Sequence, residues 1–87
     1  MRVEEKLEKY MALTKKAFEK VVVVKENKKG KDLLDLAKRY YEDAKYFAKT
    51  DTLTALVAVT YAHAFLDCGA RLGLFNVGHD SNLFMVD

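Results

Sequence analysis

Residues 52–72 read TLTALVAVTYAHAFLDCGARL, and this stretch decides the fold. Leu53, Ala55, Leu56, Val57, Ala58, Val59, Ala62, Ala64, Phe65 and Leu66 make it apolar nearly all the way round. A helix of that kind is either central in its fold or held against a second chain. Its longest part free of Asp, Glu, Lys and Arg, Thr52 to Leu66, is 15 residues long. That falls short of the roughly 20 needed to span a bilayer, so no membrane span is expected. Asp51 or Thr52 offers an oxygen to the first free N–H groups of this helix. Arg71 lies in its last turn, where a cation meets the negative end of the dipole. Gly73 is placed for a left-handed exit.

Working outward, Thr50-Asp51-Thr52 is a tight connection, which makes the preceding helix an antiparallel neighbour. That helix is expected from about 32 to 49, capped by Asp32. Its apolar positions, Leu33, Leu36, Ala37, Tyr40, Tyr41, Ala44, Phe47 and Ala48, recur at three- and four-residue steps. Before it, residues 25–31 read as a polar loop of net charge +3 that includes Asn27 and Gly30. The first helix is expected from about 2 to 24, with Val3, Leu7, Tyr10, Met11, Thr14, Phe18, Val21 and Val22 on its buried side. Glu4, Glu5 and Glu8 favour its N-terminal end. Val21–Val24 is β-branched and has strand character. With no partner strand in view, it is assigned to the helix. After Phe75 come turn signals at Asn76, Gly78 and Asp80-Ser81-Asn82, then the apolar run Leu83–Val86. The reading is one all-α domain over 1–87, an up-and-down three-helix bundle whose irregular tail, 75–87, folds back on the helices.

Composition narrows the function. The chain has 87 residues, 51% hydrophobic and 32% charged, with no proline and one cysteine. Disorder, a disulfide scaffold and a turn-rich β-sandwich are excluded. The net charge of +2 is too small to demand nucleic acid. Residues 1–50 carry +5 and residues 51–87 carry −3, so a solvated basic front precedes an apolar, slightly acidic back. Residues 1–10 are charged and lack the apolar run of an export signal. With a single unpaired cysteine, the expected compartment is the cytoplasm. The surplus apolar surface of the third helix points to a homo-oligomer or a protein partner there, unless the tail covers it.

The residues most able to carry chemistry are Tyr61, His63, Asp67 and Arg71, with Asp43 from the second helix. His63, Asp67 and Arg71 are four apart and form one helical stripe. A carboxylate one turn from an imidazole orients it and holds a proton near neutrality. Arginine in the same stripe can pin the carboxylate or bind an anion. The plainer reading is a hydrogen-bonded core histidine beside an Asp67–Arg71 pair, since two ligands are too few for a metal. Cys68 reads as a small buried hydrophobe, because no partner activates it as a thiolate. Tyr40, Tyr41 and Tyr46 among Lys38, Arg39 and Lys45 allow base stacking and RNA contact, but core packing accounts for most of these rings. No phosphate-loop, CxxC, HExxH or GxSxG motif occurs, and no cofactor or catalytic residue is implied.

The stretches Tyr41–Phe47, Asp51 and Tyr61–Phe75 resemble the archaeal DUF357 family, whose pattern runs roughly DAKYF, a Gly-Asp turn, then YAHGxLDAGxRLGLF. Thr50 stands where a turn glycine is usual, Ala64 where a glycine is usual and Cys68 where an alanine is usual. The resemblance implies a three-helix bundle in the archaeal cytosol and no activity, so there are no catalytic residues to carry over. A non-catalytic interaction or structural module is therefore the leading expectation. A ligand site at Asp43, His63, Asp67 and Arg71, or RNA contact through the second helix, are the alternatives. A fainter likeness to HEPN ribonucleases fails on spacing, because Arg71 and His79 have seven residues between them.

Overall fold

Asp51 starts the central helix as its residue type demands. In the computed structural model, which describes residues 2–24, 27–77 and 84, its carboxylate accepts from the Thr54 N–H at 3.1 Å and from the Thr54 hydroxyl at 2.6 Å. The hydroxyl bond, then the backbone bond, holds the Asp51 carboxyl below the ordinary carboxylate range. The elements in order are α1 (Val3–Lys20), β1 (Val22–Val23), α2 (Lys28–Phe47), α3 (Thr52–Arg71) and β2 (Phe75–Asn76). α3 ends as expected at Gly73, whose φ is +75°. There the Leu74 N–H donates to the Gly69 carbonyl at 2.9 Å and the Gly73 N–H to the Ala70 carbonyl at 3.2 Å. These are the paired bonds of a glycine-terminated helix end.

Two boundaries differ from the sequence reading. α2 begins at Lys28, not at Asp32, because the Asn27 side chain accepts from the Gly30 N–H at 2.9 Å and caps the helix. Lysine is a good helix former, so the basic run continues the helix once a cap exists. Gly30 therefore lies in the first turn of α2 and not in a loop. It is buried, and a Cβ there would stand 3.1 Å from Val23 Cγ1 and 3.2 Å from the Leu74 carbonyl oxygen. α1 stops at Lys20, and Val22–Val23 form the strand that was assigned to the helix. They pair antiparallel with β2, Val22 opposite Asn76 and Val23 opposite Phe75. The Val24 N–H extends the ladder to the Leu74 carbonyl at 3.0 Å. The missing partner strand lies beyond two further helices, where no local pattern points to it.

The result is an all-α three-helix bundle with this two-residue ribbon clasping one end. α3 is the central helix: α2 packs along it and α1 packs against it, while α1 and α2 meet through their side chains. Between them the Phe18 ring stands edge-on to Tyr41, with centroids 5.4 Å apart. A groove of about 630 Å³ opens beside that contact, lined by Phe18, Val21, Leu34 and Tyr41 together with two lysines, Lys15 and Lys38, and two glutamates, Glu19 and Glu42. Alanines dominate the buried sides of α2 and α3, with Ala37, Ala44, Ala55, Ala58 and Ala62 all buried. Such small side chains let two helices approach closely. One apolar cluster gathers Leu7, Ala44, Ala55, Ala58 and Val59. The other joins Ala17, Ala37 and Leu66 to Phe75, Val77 and Phe84. Phe75, Val77 and Phe84 pack on the bundle, but Phe75–Asn76 is a strand where an irregular tail with a turn at Asn76 is expected, because the paired Val22–Val23 backbone holds it extended. The expected turns at Gly78 and 80–82 and the rest of the run 83–86 lie outside the described residues, as do Lys25 and Glu26.

Part of the surplus apolar surface of α3 stays exposed. Leu53, Val57, Tyr61 and Leu72 are 64%, 56%, 53% and 69% exposed. Thr60, Ala64 and Arg71 are exposed as well. So is Cys68, contrary to its reading as a buried hydrophobe, because it points away from both neighbouring helices. By length and composition alone α3 would suffice to cross a membrane, but Ala55, Ala58, Val59, Ala62, Leu66 and Gly69 are buried against the rest of the fold. It is the core helix of the bundle with one side bare.

Candidate functional site

α1 brings Thr14 to the bundle axis on the same stripe as Leu7 and Ala17, and it is 1% exposed. A hydroxyl buried that deeply needs a partner. His63 of α3 supplies it, with Nδ1 2.9 Å from Thr14 Oγ1. One turn on, Asp67 Oδ1 lies 3.9 Å from His63 Nε2. The ring of Phe84 stands 6.4 Å away, tilted by 40°. When Nδ1 accepts from the Thr14 hydroxyl, the ring proton sits on Nε2, on the side of Asp67.

A hydroxyl, an imidazole and a carboxylate in line are the parts of an acid–base relay. Here the hydroxyl faces the interior of the bundle. Thr14 is closed to solvent in this fold, and its bond to His63 ties α1 to α3. Among the described residues no buried side-chain nitrogen or oxygen lacks a partner.

The five residues singled out from the sequence do not converge. His63 and Asp67 come together. Tyr61 is two positions from His63, roughly 200° around the helix. Its ring stacks on Tyr40 of α2 at 5.4 Å, and Tyr40 stacks in turn on Phe65 at 5.6 Å. Arg71 is exposed and forms no ion pair with Asp67, which turns toward His63 instead. Asp43 is exposed on α2. Among the described residues no three His, Cys, Asp or Glu side chains gather to hold a metal. Thr14 is the member that sequence reasoning missed as a site residue. Its signal was present, a polar residue on an apolar stripe, but the partner was not.

The basic side of α2 is tempered by its own acids. Lys45 pairs with Glu42 at 3.1 Å and also lies 5.4 Å from the Tyr41 ring. Tyr46, 76% exposed, turns its ring edge-on to Phe47.

The span from the middle of α1 through β2 matches a family model described as "Protein of unknown function (DUF357)", over residues 9–75. The chain belongs to the DUF357 family. No curated protein and no solved structure shows significant similarity to it. The DUF357 span includes Thr14, Asp43, Tyr61, His63, Asp67 and Arg71 and assigns a role to none of them. In this DUF357 protein, Thr14→Val is expected to cost about 1–3 kcal/mol, because it leaves the buried side of the imidazole without its hydroxyl. A urea unfolding midpoint that moves down with an unchanged slope measures this. An unchanged midpoint would show that the Thr14–His63 bond contributes nothing.

Proposed function

We propose that this DUF357 protein is a non-catalytic interaction module whose contact surface is the bare side of α3. One observation carries the reading. Leu53, Val57, Tyr61 and Leu72 are each more than half exposed along one side of the helix that otherwise forms the core. At 100° per residue, positions 53, 57, 60, 61, 64, 68, 71 and 72 fall on that one side. It runs the length of α3 with no charge before Arg71. A contiguous apolar strip of this kind marks a place where another surface docks. The unpaired, exposed Cys68 on the same strip suits a reducing, cytoplasmic setting.

The test uses an apolar fluorophore in dilute solution, with circular dichroism as the check on folding. The native chain is expected to enhance its emission, and Leu53→Lys with Val57→Lys to abolish most of that enhancement while helicity is kept. Equal dye binding by native chain and variant would defeat the proposal.

A further inference from the structure

We infer that the partner is a second copy of this chain, with α3 packed antiparallel against α3 about a two-fold axis near Tyr61. This rests on the reading of the bare α3 side as the contact surface. The charges come first. Asp51 caps one end of α3 and Arg71 occupies the other, and both are exposed. Asp51 and Arg71 are equidistant from Tyr61. An antiparallel pair therefore brings each Arg71 to the partner copy's Asp51 end, twice, by symmetry. Thr54 occupies only part of the acceptor capacity of the Asp51 carboxylate. The helix dipoles are opposed as well, positive end to negative end.

Shape agrees with charge. The strip is bulky in its first half, at Leu53 and Val57, and small in its second half, at Ala64 and Cys68. About an axis half a residue away, between Thr60 and Tyr61, Val57 faces Ala64 and Leu53 faces Cys68, large against small. A parallel pairing would set Leu53 on Leu53 and Cys68 on Cys68, crowding one end and opening the other. It would also put Asp51 beside Asp51 and Arg71 beside Arg71. Twenty residues at about 1.5 Å each make a strip roughly 30 Å long. One strip of that length gives an interface at the small end of the specific range, hence a reversible dimer.

The experiment is sedimentation of the full chain from low micromolar to near-millimolar concentration, with spin labels on the native Cys68. The expected result is a reversible monomer–dimer equilibrium, weakened at least tenfold by Val57→Lys. Arg71→Glu should weaken it several-fold, and adding Asp51→Lys should restore it. The labelled Cys68 pair should lie roughly 20 Å apart along the axis, about fourteen to fifteen helical steps. Labels in near contact, or a ready Cys68–Cys68 disulfide, would overturn the antiparallel arrangement. A chain that stays monomeric at every concentration overturns the self-pairing. If that monomer still binds the apolar dye through Val57, or sediments with neutral lipid vesicles, the α3 strip remains a contact surface for something else. A dimer indifferent to Val57→Lys overturns both this inference and the reading it rests on.

Discussion

Phe75→Ala is expected to cost about 3–5 kcal/mol and to reverse the sign of a second substitution. Phe75 is 4% exposed and belongs to the cluster that joins the chain after α3 to Ala17, Ala37 and Leu66. Its backbone is also half of β2, opposite Val23. The ring lies against Gly69 in the last turn of α3, and a Cβ added there would fall on the ring atoms. Alone, Gly69→Ala should therefore destabilise by about 1–3 kcal/mol through overpacking. That loss outweighs the roughly 1 kcal/mol by which alanine is the better helix former. In the Phe75→Ala background the obstacle is gone, and Gly69→Ala should become neutral or stabilising. Urea denaturation of the four chains closes the cycle, with the coupling read as the departure from additivity. If Gly69→Ala costs the same in both backgrounds, the ring is not what reserves this position for glycine.

Two leucines of one helix should respond to the same truncation by very different amounts. Leu66→Ala is expected to cost about 2–5 kcal/mol, because Leu66 is fully buried where the tail meets α1 and α2. Leu53→Ala, at 64% exposure, should change the stability of the dilute monomer by no more than about 0.5 kcal/mol. A domain of this kind has only about 5–15 kcal/mol to lose, so Leu66→Ala removes a large part of it. Thermal or urea unfolding at low protein concentration makes the comparison, and equal losses at the two positions would mean that α3 has no bare side in solution. At high concentration a self-paired chain should show an added cost for Leu53→Ala, because association stabilises whatever it binds.

Leu53 and Leu66 also show where reading the sequence stops. Both stand in the same apolar run, and a helix apolar all round has no periodicity from which to choose a face. The choice was made by α1, α2 and the tail, which each took a side and left one open. The strand at Val22–Val23 is a similar case. Its β-branched residues were legible, but a strand is half of a pair, and Phe75–Asn76 is supplied only when α3 returns the chain to that end. Asp32 is the cap read for α2, but Asn27 is as good a cap by residue type. Packing of Gly30 against Val23 and Leu74 selected the earlier one. Thr14 was visible as a polar residue on a greasy stripe, but its bond to His63 joins two helices that meet only in the folded chain.

What the sequence determined by itself was whatever one turn of chain can decide. The three helices, the cap at Asp51, the left-handed exit at Gly73 and the short antiparallel link all depend on neighbours within a few residues. The DUF357 signature is local in the same sense. The tertiary structure alone decided which side of α3 is core, which hydroxyl His63 meets and where the ribbon closes. Those outcomes depend on which surfaces come together, and burial free energy is summed over residues far apart in the chain, without direction along it.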